Sequence, residues 1–183
     1  WQDLGVPAEG MASIAVTSSN SIITVGAGGS IWQYSEASWA DRQSGFSDDL
    51  NDVAFLDSDI GFACGESGSL IFTDDGGATW DYREAPEGAS DSNLVSAGYY
   101  NPFRMFAISS TGQILASTSQ GGHIWNLVEI ESQNYATSLS RNLNSIDVAS
   151  ASIILFTGPS NYLAVSLDGG NIVSKSILPE GVS

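Results

Sequence analysis

Short runs of alternating apolar and polar residues, separated by turn residues, recur along the chain. The clearest copy spans residues 50–83, LNDVAFLDSDIGFACGESGSLIFTDDGGATWDYR, and contains four such runs. Clusters of Asp, Ser and Gly lie between the runs, where tight turns need them. This pattern predicts a four-stranded antiparallel meander.

The same unit can be traced three more times. Two sets of residues hold matching places in the units: Trp1, Trp39, Trp80, Trp125 and Val173 near the last strands, and Gly29, Gly68, Gly112 and Asn161 before the third strands. A period near 40 residues with four short strands predicts the blades of an all-β propeller. We place four blades at about residues 11–46, 47–90, 91–141 and 142–180 of one domain.

Residues 1–4 resemble the last strand of a further blade. Unit four has its own last strand at 172–177, so these four blades offer residues 1–4 no evident place. We therefore expect a displaced strand, further blades or pairing with a second chain. Because the sequence does not begin with Met, we interpret it as a processed chain or a fragment.

Residues 73–80 fit the pattern Ser/Thr-x-Asp-x-Gly-x-Thr-Trp, which is known as the Asp-box. Asp75 can accept backbone N–H bonds, Gly77 can adopt the positive φ of a tight turn, and Trp80 provides an apolar anchor. Positions of this motif across the units are Thr73, Asp75, Gly77, Thr79, Trp80, Gly122, Trp125, Ser166, Asp168 and Gly170. We interpret them as structural, with a shortened form at 35–38. A catalytic role for Asp75 is the alternative.

Charge excludes several classes of partner. The chain has 21 acidic and 5 basic residues and a net charge of −16. Such a surface repels nucleic acids and anionic membranes. No apolar run approaches the length of about 18–20 residues that a membrane span needs.

The residues that usually carry chemistry are scarce. Cys64 is the only cysteine, which excludes an intrachain disulfide, and its strand context predicts a buried thiol. His123 is the only histidine and lies in an Asp-box turn. We expect no zinc, no other metal and no cofactor, because neither a calcium loop nor a phosphate-binding loop is present.

Several motifs within residues 50–83 point to one family. Leu-x-x-Val-x-Phe, Gly-x-x-Gly-x-Leu, Thr-x-Asp-Gly-Gly-x-Thr-Trp and Trp-x-x-Arg resemble the photosystem II stability/assembly factor family of lumenal propellers. The resemblance implies a non-enzymatic protein of the thylakoid lumen or periplasm that binds photosystem II components.

The candidate partner contacts are Arg42, Arg83, Arg104 and Arg141. Isolated positive charges on an acidic body can specify where an acidic partner segment docks. For Arg83, an ion pair between blades is an equal alternative.

Asp-boxes also occur in sialidases and other glycosidases. The competing hypothesis is a secreted glycan-binding module or a sialidase-like glycosidase fragment. Such an enzyme would need three arginines converging on the substrate carboxylate, beside a Tyr and Glu pair and an acidic residue.

Overall fold

The computed structural model of the protein describes residues 4–5, 10–18, 21–128, 143–150, 152–159, 162–167 and 174–177. Sixteen strands in this part of the chain form four sheets. Each sheet is an antiparallel meander of four strands in chain order. This architecture confirms the predicted all-β propeller with four-stranded blades.

The first two blades have these strand bounds. Blade 1 comprises β1 (Met11–Ser18), β2 (Ser21–Gly26), β3 (Ile31–Ser35) and β4 (Ser38–Asp41). Blade 2 comprises β5 (Leu50–Phe55), β6 (Gly61–Gly65), β7 (Leu70–Thr73) and β8 (Asp81–Arg83). Trp80, which is predicted to lie near the last strand, directly precedes β8.

The other two blades follow the same order. Blade 3 comprises β9 (Leu94–Asn101), β10 (Arg104–Ser109), β11 (Ile114–Ser117) and β12 (Trp125–Leu127). Blade 4 comprises β13 (Ser145–Val148), β14 (Ile154–Gly158), β15 (Tyr162–Ser166) and β16 (Ser174–Ile177). Of the predicted strand at 1–4, only Leu4 is described, and it does not lie in a strand.

The core consists of layers between neighbouring blades. Alternation along each strand sends apolar side chains to both faces of a sheet, so that every inner blade has two faces to bury. In blade 2, Val53, Ala63 and Ile71 pack toward blade 1. Phe62, Cys64, Leu70 and Phe72 of the same sheet pack toward blade 3. A third cluster around Phe106 and Phe156 joins blades 3 and 4.

Two Asp-box tryptophans lie in these layers. Trp80 is buried against blade 1, with its ring perpendicular to that of Phe55 at a centroid distance of 6.1 Å. Trp125 is buried against blade 2, 5.6 Å from the ring of Phe62. Each tryptophan therefore fills the interface between its own blade and the preceding one.

Glycine permits a close approach at the turn before β7. Gly68 has a φ of +65°, which favours glycine over other residues. A Cβ atom at this position would lie 2.6 Å from the carbonyl oxygen of Ala89, in the connection to blade 3. The glycine before the third strand of blade 2 thus lets the loop between blades pass across the turn.

The thiol of Cys64 is buried between blades 2 and 3, as predicted. Burial raises its pKa, and the nearby negative charge of Asp52 raises it further. The thiol is therefore protonated and packs as a small apolar group. No helix in the described part of the chain has the length and hydrophobicity needed to cross a membrane.

Asp52 connects the first strands of three blades. One carboxylate oxygen accepts hydrogen bonds from Ser13 Oγ of blade 1 at 2.6 Å and from the N–H of Val53 at 2.9 Å. The other accepts from Ser96 Oγ at 3.0 Å and Ala97 N–H at 2.8 Å, both in blade 3. A charged acceptor thus holds three blades at their inner edges.

Replacing Asp52 with Ala should destabilise the fold. The change removes the acceptor of four hydrogen bonds, and we expect a loss of about 2–4 kcal/mol in the free energy of unfolding. Urea denaturation at neutral pH measures this change in the free energy of unfolding.

Asp91→Ala is the matched control, because it removes the same charge from an exposed loop. We expect it to change the stability by less than about 0.5 kcal/mol. Equal effects of the two substitutions would contradict the bridging role of Asp52.

Candidate functional site

The residues of the blade 2 Asp-box form hydrogen bonds with one another. Asp75 accepts hydrogen bonds from Thr73 Oγ1 at 2.9 Å, from Thr79 N–H at 2.9 Å and from Thr79 Oγ1 at 2.7 Å. Thr73 Oγ1 in turn accepts from the N–H of Gly77 at 2.9 Å. The indole of Trp80 donates to the carbonyl of Gly77 at 3.1 Å. Each specified residue of the motif therefore bonds to another.

These bonds set the protonation state of Asp75. Partial burial alone would raise the pKa of its carboxyl group. Hydrogen bonds from the side chains of Thr79 and Thr73 and from the N–H groups of Thr79 and Ala78 outweigh this effect and lower the pKa. Asp75 is thus a stable anion within its turn, whereas a catalytic acid needs a raised pKa.

The other Asp-boxes are less regular. In blade 3, Gln120 stands in the acidic position, and Ser119 Oγ accepts from Ile124 N–H at 2.7 Å instead. The indole nitrogen of Trp125 is buried without a hydrogen-bond partner among the described residues. Ser166 of blade 4 is buried, and Asp168 and Gly170 lie outside the described residues. In blade 1, Glu36 and Ala37 at positive φ make a two-residue turn.

Arg83 joins blade 2 to blade 3. Its side chain is only 9% exposed, and Nε donates to the carbonyl of Gly121, in the blade 3 Asp-box, at 2.6 Å. The guanidinium lies over the ring of Phe72 at 5.0 Å from its centroid. Its ion pair with the exposed Asp81, at 3.9 Å, lies within blade 2. The contact between blades is therefore a hydrogen bond to a carbonyl.

Arg42 makes the corresponding connection indirectly. Its Nε donates to Gln33 Oε1 at 3.0 Å, and Gln33 Nε2 donates to the carbonyl of Gly76 at 3.2 Å. Gly76 precedes its Asp-box tryptophan by four residues, as Gly121 does. In both cases an arginine at the end of one blade is linked to the equivalent glycine carbonyl of the next blade.

Sequence reasoning missed Gln33. By strand register it holds the place in blade 1 that Phe72 holds in blade 2. The sequence did contain a signal for Gln33, namely an amide at an interface position that is otherwise apolar. A half-buried amide at such a position needs a hydrogen-bond partner.

Of the other two predicted arginines, Arg104 lies within the described residues and contacts an aromatic ring. Arg104 begins β10, is half-buried, and its guanidinium lies 6.0 Å from the centroid of the Phe106 ring. Arg141 lies outside the described residues. The three described arginines lie in three different blades and contact Gln33, Gly121 and Phe106 respectively. The contacts of these three do not show the convergence that a sialidase needs.

A groove of about 450 Å³ lies between blades 2 and 3, on the side of the Asp-box turns. Its lining combines apolar, acidic and basic side chains: Ile60, Phe72, Asp74, Asp81, Arg83, Pro102, Gln120, Gly121 and His123. The N–H of Gly121 donates to the carbonyl of Pro102 at 3.3 Å, which joins the Asp-box turn to the β9–β10 turn. No set of three His, Cys, Asp or Glu side chains within the described residues could hold a metal ion.

The Asp75 anion should make stability depend on pH. Because its pKa is lower in the folded chain, the carboxylate stabilises the fold above its ordinary pKa of 3.8, and this contribution disappears as the pH falls through the lowered value. Because the side chain of Asp75 is exposed and solvent screens its charge, we expect Asp75→Asn to cost less than about 1 kcal/mol at neutral pH and progressively less below about pH 4.

Urea denaturation at a series of pH values measures this dependence. Asp74→Asn is the matched control, since it neutralises the adjacent exposed carboxylate. A pH-independent difference between Asp75→Asn and the unaltered chain would contradict the assignment.

Replacing Arg83 with Met keeps much of the apolar stem but removes the guanidinium. Gly121 then loses a charged donor, and we expect a destabilisation of about 1.5–3 kcal/mol. Arg42→Met should cost less than about 1 kcal/mol, because half-buried Arg42 acts only through Gln33. Equal losses for the two variants in urea denaturation would overturn this distinction.

Known proteins with this architecture share the fold at low sequence identity. The structure "YCF48 bound to D1 peptide" aligns over 69% of this chain and 40% of its own, with 19% identity and a TM-score of 0.58. YCF48 from Cyanidioschyzon merolae aligns over 99% of this chain and 61% of its own, with 16% identity and a TM-score of 0.76. The chain therefore spans less than two thirds of either protein.

A propeller with an enzymatic function is also similar. Catalytically inactive virginiamycin B lyase from Staphylococcus aureus with quinupristin aligns over 93% of this chain and 57% of its own, with 13% identity and a TM-score of 0.72. At such identities these likenesses show the fold alone. No curated protein matches the chain.

The sequence itself matches a family model. The model described as "Photosynthesis system II assembly factor YCF48" covers residues 31–159, which include blades 2 and 3 and parts of blades 1 and 4. The resemblance drawn from the motifs of blade 2 is thereby confirmed. The chain belongs to the YCF48 family of photosystem II assembly factors.

Proposed function

We propose that this chain is a non-enzymatic scaffold that binds a protein component of photosystem II during assembly or stabilisation of the complex. The match of residues 31–159 to the assembly factor family carries the proposal. A related YCF48 has been solved with a D1 peptide, which supports a polypeptide ligand for this chain as well. Whether it acts as a transient factor or a permanent subunit is a matter of residence time.

The thylakoid lumen is the compartment that the family implies, with the periplasm or a secreted location as the alternative. The net charge of −16 supports a protein partner over a nucleic acid or an anionic lipid surface. A partner segment that meets this surface must either carry positive charge or approach at one of the few cationic positions.

We place the docking surface at the groove between blades 2 and 3 and the adjoining β9–β10 turn. Phe103 in this turn is 55% exposed, and Ile124 in the neighbouring Asp-box turn is 56% exposed. Exposed apolar side chains beside a groove are typical of a protein-binding surface. Arg104 follows Phe103 directly and is the candidate for an acidic group or terminal carboxylate of the partner.

Arg83 and Arg42 have a smaller part in this proposal. The guanidinium of Arg83 is buried and donates to Gly121, so its contribution to docking is mainly to hold the groove in shape. Arg42 lies in blade 1, away from this groove. Arg141 stays a prediction from sequence.

The competing hypothesis is a glycan-binding or glycan-cleaving propeller. It draws on the Asp-boxes and on the lyase among the similar folds. The hydrogen-bonded, ionised state of Asp75 and the separate contacts of the three described arginines favour the protein-binding alternative.

Binding of a fluorescent D1-derived peptide tests the proposal through its anisotropy. We expect saturable binding to the unaltered chain, and Arg104→Glu should weaken it by at least about fivefold, which is ~1 kcal/mol. Lys175→Glu in β16 is the matched control, because it makes the same charge change in another blade and should leave the affinity within about twofold.

Two outcomes would contradict the proposal. One is equal affinity for the D1-derived peptide and a scrambled peptide of the same composition. The other is strong binding to an array of sialylated and neutral glycans, accompanied by hydrolysis. We expect neither glycan retention nor release of free sugar.

A further inference from the structure

The Asp-box turn of blade 2 contains a chemically reactive pair of residues, Asp75 and Gly76. In an unfolded chain, the backbone nitrogen that follows an aspartate can bond to the side-chain carboxyl carbon and close a five-membered succinimide ring. This reaction is fastest when the following residue is glycine, because no side chain keeps the nitrogen away from the carboxyl group. The exposed turn of blade 2 thus carries the dipeptide that is most prone to this rearrangement.

The fold of the turn requires both residues. Gly76 has a φ of +73°, and a Cβ atom there would lie 2.9 Å from the carbonyl oxygen of Ser58 in the β5–β6 turn. A residue with a side chain, which would slow the rearrangement, is therefore disfavoured at position 76. Asp75 is the acceptor to which Thr73 and Thr79 donate. The reactive dipeptide is thus present for structural reasons.

Both oxygens of the Asp75 carboxyl group are engaged in the folded turn. One accepts from Thr73 Oγ1 and from the N–H of Thr79, each at 2.9 Å, and the other accepts from Thr79 Oγ1 at 2.7 Å. Ring closure expels one carboxyl oxygen as water and binds the other into the ring. It must therefore break hydrogen bonds that hold the turn together.

The nitrogen that would attack is engaged as well. The N–H of Gly76 donates to the carbonyl of Asp59 at 2.9 Å, which joins the Asp-box to the β5–β6 turn. To form the ring, this nitrogen must give up its proton and lose that contact. The two reacting groups are thus bonded to different parts of the fold, one to Thr73 and Thr79 and the other to Asp59.

The ionisation of Asp75 acts in the same direction. A neutral carboxyl group closes the ring more readily than a carboxylate, because it can release a neutral water molecule. Against the effect of partial burial, hydrogen bonds from Thr79 and Thr73 keep the pKa of Asp75 below its ordinary value. The neutral form is therefore scarcer in the folded turn than in an unfolded chain.

We propose that Asp75 and Gly76 form a site of isoaspartate formation, which the hydrogen bonds of the folded Asp-box suppress. The nitrogen of Gly76 bonds to Cγ of Asp75, and the amide proton leaves with the carboxyl OH as water. Water then attacks the former backbone carbonyl carbon of Asp75, whose bond to the nitrogen breaks. The chain now runs through Cβ and Cγ, and the new carboxylate lies on Cα. Attack of water at Cγ instead restores the aspartate.

Isoaspartate at this position would change contacts on both sides of blade 2. The main chain gains one carbon atom before Gly76, whose carbonyl accepts from Gln33 of blade 1 at 3.2 Å. The residue before the altered one is Asp74, which lines the groove toward blade 3. We therefore expect the modification to weaken the contact with blade 1 and to displace one wall of the groove.

Blade 3 contains the same turn contact without the reactive pair. The N–H of Gly121 donates to the carbonyl of Pro102 at 3.3 Å, as that of Gly76 donates to the carbonyl of Asp59. The residue before Gly121 is Gln120, whose longer side chain would have to close a six-membered ring, which forms far more slowly. Gln120 should therefore stay unmodified where Asp75 reacts.

Mass spectrometry of the 183-residue chain after incubation at neutral pH tests the proposal. Trypsin releases residues 43–83, which include Asp75, and electron-transfer fragmentation locates isoaspartate within this peptide. The second Asp-Gly pair, at 168–169, falls in a different peptide. We expect isoaspartate at Asp75 to form at least about tenfold faster in guanidinium chloride than in the folded chain, because unfolding removes the hydrogen bonds of both reacting groups.

Thr79→Val tests the hydrogen bonds within the folded chain. It removes the hydroxyl that donates to Asp75 but keeps the branched shape, and Thr79 is exposed, so the core stays intact. We expect isoaspartate at Asp75 to form at least about threefold faster in this variant. Thr118→Val is the matched control, because it alters an exposed threonine of the blade 3 Asp-box and should leave the rate unchanged.

Asp52→Ala separates opening of the turn from unfolding of the whole chain. It destabilises the fold without altering the Asp-box, so it should not reproduce the increase caused by Thr79→Val. Far-UV circular dichroism checks that all variants are folded. Equal rates in the folded and unfolded chain, or no isoaspartate at Asp75 in the unfolded chain, would overturn the proposal. So would an unchanged rate in Thr79→Val or an equal increase in Asp52→Ala.

Discussion

The arrangement of the blades depends on hydrogen bonds between their first strands. These strands line the inner edge of the array, where neighbouring sheets come closest and side chains must be small. Asp52 accepts hydrogen bonds from both neighbouring blades, and Ser96 extends the series to blade 4. Apolar packing alone would let two sheets slide along each other, since it is not directional. Oriented bonds at the inner edge fix how far each blade is rotated against the next.

A second set of contacts acts at the outer edge. Arg83 reaches the carbonyl of Gly121, and Arg42 reaches that of Gly76 through Gln33. Between the two edges lies the apolar layer that contains the Asp-box tryptophan. Each interface between the first three blades is thus held at both edges by polar contacts and filled in the middle by apolar side chains. The groove between blades 2 and 3 takes its shape from the outer contact, because Arg83 and Gly121 both line it.

Much of this architecture could be predicted from sequence, since strand alternation and turn residues are local signals. The blade order, the strand positions and the burial of Cys64 follow from these signals. What could not be predicted is which polar groups meet across a blade interface. From sequence, Arg83 could equally bind a partner protein or contact a neighbouring blade. Its burial over the ring of Phe72 shows that it makes an internal contact. Gln33 was missed because its partner lies 43 residues away in the chain.

The outer contact divides its two halves between adjacent repeats. One blade provides the arginine after its tryptophan, and the following blade provides the glycine carbonyl before its own. A repeat that has both the glycine carbonyl before its tryptophan and the arginine after it can form this contact with a similar repeat on either side. Duplication of a repeat such as blade 2, which carries both halves, would therefore leave the new neighbours able to form this contact.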